Sequence, residues 1–277
     1  MKEVQKHGKE IGLEELKVLQ MDVLQAVDEF CTEHNIRYSM ACGTLLGAIR
    51  HKGYIPWDDD IDIYLLRDDY ERLMKEFPCV YNGCYCISSL ERDKIWDKPY
   101  AKGFDNRTIV EEYGDYDGKF GVNIDIFPVD EVPDDEKEWK TYDDQRRKLY
   151  LKYAKLVAII PFRFTPMGIV RWFKWNFPKW FSSKSRRCMA EIIDENSKKW
   201  RNSGYKRVFE CCQGILQKKP FDASVFDDII SFPFEDRQFK GFKNYDEYMR
   251  NGFGDYMTLP PIEQQKPHHS FTAYWKE

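Results

Sequence analysis

The 277-residue sequence predicts an α+β fold, because two different periodicities occur in it. Apolar residues recur at helical spacing over residues 13–34, whereas carboxylates alternate with isoleucine at residues 60–63 and again at 124–126. Spacing of three or four residues is typical of one helix face, and strict alternation is typical of a strand. Helices and strands are therefore both expected to contribute to the core.

The remaining elements follow in chain order from the same two patterns. Helices are predicted over 13–34, 67–77, 134–155, 186–202 and 245–253, and strands over 36–42, 60–63, 85–90, 100–111, 122–129 and 208–212. The first helix is predicted to pack against the core without taking part in chemistry. Pro78 is expected to end the second helix and Pro128 the strand over 122–129, since proline lacks the N–H that continues either structure.

The length and charge of the chain limit its organisation and its partners. A chain of 277 residues is near the upper limit for one domain, and a single domain over residues 1–277 is predicted. The net charge of −4 and the pI of about 5.9 give no basic field, which argues against nucleic acid as a partner. No apolar run reaches roughly 20 residues and the N-terminus has no apolar signal core, so a cytoplasmic location is expected.

Eight cysteines raise the question of a zinc site or of disulfides. Cys84 and Cys86 are too close for the usual ligand spacing of a zinc site, and Cys211 and Cys212 are adjacent. In a reducing cytoplasm such residues are more often small buried hydrophobes, and this is the interpretation preferred for them. Convergence of Cys79, Cys84 and Cys86 with a distant fourth ligand is left open.

The alternating aspartates at residues 60–63 predict a metal site. On one strand, Asp60 and Asp62 point the same way, roughly 6–7 Å apart along the backbone. Like charges placed side by side repel each other, so the arrangement favours a bound cation; a solvated strand edge is the alternative. Oxygen ligands suit a hard ion, Mg²⁺ or Mn²⁺. Asp58 shares this face if the strand is regular that early, but Pro56 suggests that it lies in the preceding turn.

A glycine turn before these aspartates predicts a phosphate contact. Gly43 and Thr44 follow the strand over 36–42 and precede a short helix predicted to begin at about Leu45. Glycine lets backbone N–H groups approach a phosphate, and the positive end of the helix would point to the same place.

Asp125 supplies a third carboxylate on a mostly apolar strand, where an unpaired charge would be costly. Asp130 follows and is predicted to lie in a turn. Lys102 and Arg107 lie on the strand predicted over 100–111. They could reach a phosphate if that strand is adjacent to the two acidic strands; ordinary edge-strand charge is the equally weighted alternative.

Three motifs in this order resemble the LicD family. They are Gly43-Thr-Leu-Leu-Gly47 with Arg50-His-Lys-Gly53 and Trp57-Asp-Asp-Asp-Ile-Asp62-Ile, then Gly121-Val-Asn-Ile-Asp125-Ile-Phe-Pro-Val-Asp130, and finally Asn244-Tyr-Asp-Glu-Tyr248 with Phe253-Gly-Asp-Tyr-Met-Thr-Leu-Pro-Pro261. The resemblance implies a nucleotidyltransferase-like mixed sheet flanked by helices. It is loose over residues 140–210, which are predicted to form a helical, aromatic-rich insertion in a single catalytic domain.

The family resemblance also implies an activity. Its members include bacterial phosphocholine transferases, so transfer of a phospho-alcohol group from a CDP-activated donor, typically CDP-choline, to a hydroxyl of a cell-surface glycan or teichoic acid precursor is expected, with release of CMP. Asp60, Asp62 and Asp125 would hold the metal ion, and Asp125 could instead accept the proton of the acceptor hydroxyl. The residues expected to bind phosphate are Gly43, Thr44, Arg50 and Lys52, with Lys102 and Arg107 as further candidates.

Three other functions fit parts of the same pattern. A glycosyltransferase with an Asp-x-Asp motif would show the carboxylates but would not need the Gly-Thr-Leu-Leu-Gly element. A nucleotidyltransferase would share every motif and differ only in which phosphorus is attacked. A binding module without activity is disfavoured, since all three carboxylates are present.

Residues 156–181 combine bulky aromatic side chains with basic ones and contain no acid. Such a stretch is either core or an interfacial element that contacts anionic lipid at the inner face of the membrane. A membrane-borne, lipid-linked acceptor would explain why the protein has such an interfacial element. His268 and His269 are adjacent, so their side chains diverge, and a solvent-facing pair is predicted instead of a metal site.

Overall fold

A computed structural model describes residues 7–112, 120–158, 164–165, 167–170, 172–173, 185–214, 216–266 and 271–277 of the protein. It confirms the α+β class. The strands are β1 (His7–Ile11), β2 (Ser39–Met40), β3 (Asp62–Leu66), β4 (Tyr85–Ser88), β5 (Ala101–Asp105), β6 (Thr108–Glu112), β7 (Asn123–Val132), β8 (Arg207–Phe209), β9 (Phe221–Asp222), β10 (Ile229–Phe234), β11 (Arg237–Phe242) and β12 (Phe271–Lys276). The α-helices are α1 (Leu13–Glu33), α2 (Cys42–Arg50), α3 (Arg67–Glu76), α4 (Glu136–Val157), α5 (Arg186–Ser197) and α6 (Asp246–Phe253).

A mixed sheet positions the acidic residues. Its main path runs β2-β3-β7-β5-β4, and β8 and β9 extend it from β7. Strands β3 and β7 are parallel, and the neighbouring pairs in this sheet are antiparallel. The parallel register places Asp62 opposite Asp125, so the two strands that carry the acidic residues are neighbours. Strands β1, β12 and β6 form a separate sheet, and β10 with β11 forms a hairpin.

The predicted strand over 100–111 is two strands in different sheets. Strand β5 pairs with β7 and β4, whereas β6 pairs with β12. The chain turns between them because the Thr108 hydroxyl donates to the Asp105 carbonyl (2.9 Å) and accepts the Val122 N–H (2.8 Å). The prediction of one continuous strand was therefore wrong.

Strand β7 continues through Pro128 to Val132, although the proline was predicted to end it. The Asp125 N–H donates toward the β3 side, to the Ile61 carbonyl, so an N–H at residue 128 would face the opposite side. There β5 has already ended opposite Ile126, and β8 begins only opposite Asp130. Proline is tolerated because it lies where no neighbour would accept its missing hydrogen bond.

Asp130 is part of β7 and not of a turn, which corrects the prediction for it. Its two carboxylate oxygens accept from the Nε and Nη2 atoms of Arg67, both at 2.7 Å. The remaining terminal nitrogen of Arg67 donates to Asp194 on α5 at 2.8 Å, and all three side chains are buried. This buried ion group connects β7, the start of α3 and α5.

The cysteine predictions are confirmed in part. Cys31, Cys211 and Cys212 are buried as small hydrophobes. Cys79 and Cys86, however, are joined by a disulfide, which the expectation of reduced cysteines did not include. In the described parts of the chain, no cluster of potential metal ligands contains a cysteine.

The described residues contain no helix that is both long and apolar enough to cross a bilayer. All four basic residues of the segment 156–181, and the pair His268–His269, lie outside the described residues. The predictions made for them stay predictions.

Candidate active site

The aspartates predicted to form the site line two cavities that meet at Asp60 and Asp62. A cavity of about 300 Å³, here called the polar cavity, is lined by these two residues together with Asp125 and Lys102. A second cavity of about 1340 Å³, the large cavity, is also lined by Asp60 and Asp62, and by Asp58. The two aspartates therefore face both spaces, an arrangement that suits a reaction between two substrates.

Asp60 lies just before β3, whereas Asp62 is the first residue of that strand. The segment is fixed by the backbone: the Asp125 N–H donates to the Ile61 carbonyl at 2.8 Å, and the Ala41 N–H donates to the Asp62 carbonyl at 2.9 Å. Strand pairing thus extends one residue ahead of β3, to Ile61, and holds the preceding acidic residues 58–60 close to β7.

The carboxylates repel one another, as their spacing predicted. Desolvation is the main cause that raises the pKa of Asp62 well above its usual value, and the charges of Asp60, Asp125 and Asp58 raise it further. Desolvation also raises the pKa of Asp58 to about 7, with added repulsion from Asp60. A nearby cation would relieve this repulsion.

The donor set fits a hard divalent ion. Carboxylate oxygens of Asp58, Asp59 and Asp60 lie within 4.8 Å of one another, and Asp62 is close enough to sense their charge. Oxygen ligands of this kind are the ones that Mg²⁺ and Mn²⁺ prefer. Asp58, which the sequence placed in the preceding turn, therefore belongs to the acidic group.

Asp125 has a partner other than a metal ion. Lys102 on β5 is its register neighbour, and the lysine ammonium contacts the Asp125 carboxylate directly. The same ammonium donates to the side-chain oxygen of Asn123 at 2.8 Å. Asp125 is thus neutralised by a lysine that lines the polar cavity with it, a pairing that was not predicted from the sequence for either residue.

Gly43 and Thr44 lie in the first turn of α2, which begins at Cys42 and not at Leu45. A Cβ atom on Gly43 would lie 2.5 Å from an Asp58 carboxylate oxygen, so the glycine makes room for that side chain. Thr44 is buried and its hydroxyl accepts the Asp62 N–H at 2.8 Å. Both residues position aspartates, and Gly43 also lines the large cavity.

The other predicted phosphate ligands differ in position. Arg50 lines the large cavity and donates to the Tyr256 carbonyl at 2.7 Å. Lys52 is exposed, lines neither cavity and donates to the Ile49 carbonyl. Arg107 also lines neither cavity, because it is paired with the buried carboxylate of Asp105. The structure brings Arg50 and Lys102 to the site but not Lys52 or Arg107.

Two residues near the cavities were missed by sequence reasoning. Gln20 on α1 donates to the Asp59 carbonyl (2.9 Å) and to the Asn123 carbonyl (3.3 Å), so this helix does more than pack. The sequence feature that could have identified Gln20 is its position on the apolar face of α1, one helical turn after Leu16. Glu210 is buried in the wall of the large cavity. The sequence feature that could have identified it is an acidic residue directly after the apolar end of β8.

Comparison with known proteins places these motifs in a family. The model of the LicD/FKTN/FKRP nucleotidyltransferase domain matches residues 35–171. The lipopolysaccharide cholinephosphotransferase LicD of Haemophilus influenzae is 31% identical over 285 aligned positions, which cover 96% of this chain and 99% of the relative. An uncharacterized protein of Rickettsia prowazekii is 40% identical over 66 residues, about a quarter of each chain. The match to the Haemophilus protein runs along nearly the whole of both chains, and the chain belongs to the LicD family.

Proposed function

We propose that this protein transfers phosphocholine from CDP-choline to a hydroxyl of a cell-surface glycan precursor and releases CMP. One observation carries the proposal: Asp60, Asp62, Asp125 and Lys102 line a single cavity in a chain that matches a cholinephosphotransferase over nearly its full length. Phosphoryl transfer needs positioning and charge neutralisation more than covalent chemistry, and this set of side chains supplies both.

The acidic group would hold Mg²⁺ or Mn²⁺. Asp60 and Asp62 are the proposed ligands, with Asp58 beside them, because their mutual repulsion is relieved by a cation and their oxygens suit a hard one. When bound there, the ion would neutralise the charge of the donor phosphates.

Asp125 is the proposed general base. The acceptor oxygen forms a bond to the choline-bearing phosphorus, the bond from that phosphorus to the CMP oxygen breaks, and the hydroxyl proton passes to the Asp125 carboxylate. Lys102 is paired with this carboxylate before the reaction. Once Asp125 is protonated, the lysine charge would be available to the phosphate oxygens of a donor bound in the same cavity.

The main competing function is nucleotidyl transfer, because the matching family model is described as a nucleotidyltransferase domain. The two reactions differ in the phosphorus that is attacked, and so in their products. Nucleotidyl transfer from CTP releases diphosphate, phosphocholine transfer from CDP-choline releases CMP, and a glycosyltransferase with an Asp-x-Asp motif would release a nucleotide from a sugar donor.

Product analysis tests the proposal. Purified protein with Mg²⁺ and a glycan acceptor should release CMP from CDP-choline faster than from CDP-ribitol or CDP-glycerol, and labelled choline should appear on the acceptor. Asp62→Asn should abolish both signals, whereas the matched surface change Asp236→Asn should not, since Asp236 is exposed and lines neither cavity. Diphosphate release from CTP, without CMP release from CDP-choline, would contradict the proposal.

We also propose that the segment 156–181 contacts anionic lipid at the cytoplasmic face of a membrane. The described part of this segment exposes large apolar side chains, namely Phe164, Met167 and Val170. Aromatic and basic residues together favour the headgroup region. The protein should sediment with anionic vesicles and less so as salt rises, because the attraction of basic residues is screened. Equal sedimentation with neutral vesicles would refute this contact.

A further inference from the structure

An aromatic row lies next to the carboxylate row on the same face of the sheet. Asp62 and Tyr64 are two residues apart on β3, and Asp125 and Phe127 are two residues apart on β7. The register pairs Asp62 with Asp125 and Tyr64 with Phe127. Since side chains two apart share a face, the aromatic pair lies one step, roughly 6.6 Å, along the strands from the acidic pair.

The aromatic row forms part of the wall of the large cavity. Tyr64 and Phe127 both line it, with ring centroids 6.0 Å apart and ring planes at 83°. The Tyr64 hydroxyl is already engaged, because it accepts a hydrogen bond from the Cys42 thiol at 3.4 Å. The two rings therefore offer aromatic surface to the cavity.

A buried carboxylate completes this part of the cavity. Glu210 directly follows β8, which is antiparallel to β7 with Phe209 opposite Asp130, so the chain continues beside β7 toward Phe127. Glu210 is 4% exposed, and its oxygens accept the N–H groups of Gln213 (2.7 Å) and Gly214 (2.6 Å). These bonds fix the carboxylate in the cavity wall.

No cationic side chain forms an ion pair with Glu210 within the described parts of the chain, although the charge of Arg146 acts on it from nearby. Arg146 is the nearby cation, but its guanidinium donates to Asp143 at 2.6 Å and to the Gln213 carbonyl at 2.9 Å. Arg50 lines the large cavity too, yet it is bonded to the Tyr256 carbonyl. A buried carboxylate that has no ion-pair partner of its own, and whose nearby cation is already paired with another acid, gains from a cationic ligand.

We propose that Tyr64, Phe127 and Glu210 form the subsite for the alcohol of the donor and that this subsite selects a quaternary ammonium. This inference rests on the proposed function, which places the donor phosphate at Asp60 and Asp62. Aromatic faces attract a quaternary ammonium, and the carboxylate supplies the opposite charge. A neutral alcohol such as glycerol or ribitol would leave Glu210 without a cationic partner. A primary ammonium could donate to Glu210, but its remaining N–H groups would face the two rings, which accept hydrogen bonds poorly, so it would bind less well than a quaternary ammonium.

The binding step tests the subsite apart from catalysis. Calorimetric titration with Mg²⁺ and without acceptor would compare CDP-choline, CDP-ethanolamine and CDP-glycerol. Wild-type protein should bind CDP-choline at least about ten-fold more tightly than CDP-glycerol, since a desolvated cation–aromatic contact is worth that much. Glu210→Gln should lower the ratio of the two dissociation constants several-fold, because the rings remain but the opposite charge is lost, while changing the value for CDP-glycerol less than about two-fold.

Phe127→Leu is the second variant, because Glu210→Gln replaces an acceptor of a backbone N–H and could fail to fold. It removes an aromatic face but keeps an apolar side chain, and it should lower the same ratio about five-fold. The matched charge change Glu263→Gln, on an exposed residue outside both cavities, should leave the ratio unchanged.

The outcomes separate this subsite from the proposed function. Selective binding of CDP-choline without CMP release would overturn the proposed function and leave the subsite standing. A folded Glu210→Gln or Phe127→Leu protein with the wild-type ratio would overturn the subsite, as would a wild-type preference for CDP-glycerol or CDP-ethanolamine.

Discussion

At the scale of one residue, the neighbours of Asp125 bear on which role it can take. The sequence left two roles open for it, metal ligand and general base, because both need a carboxylate on that strand. The structure adds Lys102, which contacts Asp125 across the β5–β7 pairing. A lysine beside the carboxylate supplies the counter-charge that a metal ion would otherwise provide, and it favours the base role.

Asp125→Asn is therefore expected to lower kcat about 10²–10⁴-fold, the usual contribution of a general base. Raising Mg²⁺ should not restore the rate, because a missing base is not replaced by tighter metal binding. The measurement is a Mg²⁺ titration of donor cleavage, with acceptor and with water alone. Asp62→Asn is the comparison variant, and full rescue of Asp125→Asn by metal would exclude the base role.

The charge of Arg107 stabilises the folded protein through an ion pair. Its Nη2 atom is 2.6 Å from Asp105, whose side chain is fully buried, although Arg107 itself is 44% exposed. Arg107→Gln should destabilise the protein by about 1–3 kcal/mol, less than a fully buried pair would lose, because solvent screens part of the interaction. Urea unfolding would measure the loss. If kcat/KM of Arg107→Gln fell by more than about two-fold while that of Arg107→Lys did not change, Arg107 would have a role in substrate binding after all.

At the scale of elements, helices with a clear apolar period were predicted well, including the short helix α6, whereas the start of α2 and the split between β5 and β6 were not. The prediction for α1 was correct to one residue, because its apolar positions repeat over five turns. The start of α2 was missed, since the Cys42 N–H donates to the Tyr248 hydroxyl, 206 residues further along the chain. The split between β5 and β6 likewise depends on Thr108 and Val122, which the sequence does not bring together.

Most of the candidate site was predictable because its residues lie on two similar strands. The family resemblance implied that Asp125 lies with Asp60 and Asp62, and the structure places Asp125 opposite Asp62. Lys52 lines neither cavity, since closeness to Arg50 in sequence does not determine where a loop side chain lies. Glu210 could not be placed from sequence, since its position depends on β8 pairing with β7.

Helix α1 fixes both acidic segments through one side chain. Gln20 contacts the carbonyls of Asp59 and Asn123, and its own carbonyl accepts from the Tyr54 hydroxyl at 3.0 Å. Gln20→Leu should raise the Mg²⁺ concentration for half-maximal rate several-fold and cost about 1–3 kcal/mol of stability, since buried polar groups lose their partner. Gln25→Leu, on the half-exposed face, is the control. An unchanged Mg²⁺ dependence would show that Gln20 is structural alone.

At the scale of the whole molecule, the charge of the acidic group should affect the free energy of unfolding. The pKa of Asp58 is about 7 in the folded protein without metal, well above its usual value near 3.9. The folded state then holds a proton that the unfolded state has lost, so this group makes the free energy of unfolding fall as pH rises from about 4 to 7. A divalent ion that binds only the folded state should reverse the loss.

The melting temperature should therefore rise with Mg²⁺ more at pH 8 than at pH 5. Thermal unfolding at both pH values, with and without the ion, provides the measurement, and Na⁺ at equal ionic strength is the control for screening. Asp58→Asn should flatten the metal-free pH dependence. An equal effect of Mg²⁺ at both pH values would show that the carboxylates do not bind it.

The buried ion group of Arg67, Asp130 and Asp194 bears on how far the chain can be shortened. The segment that the family model recognises ends at residue 171, before α5 begins. A recombinant fragment of residues 35–171 would keep the guanidinium and one carboxylate but lose Asp194. It would also lack the hairpin of β10 and β11, whose buried phenylalanines belong to the main hydrophobic cluster. Its soluble yield should fall well below that of the whole chain, because the recognisable motif is shorter than the unit that folds.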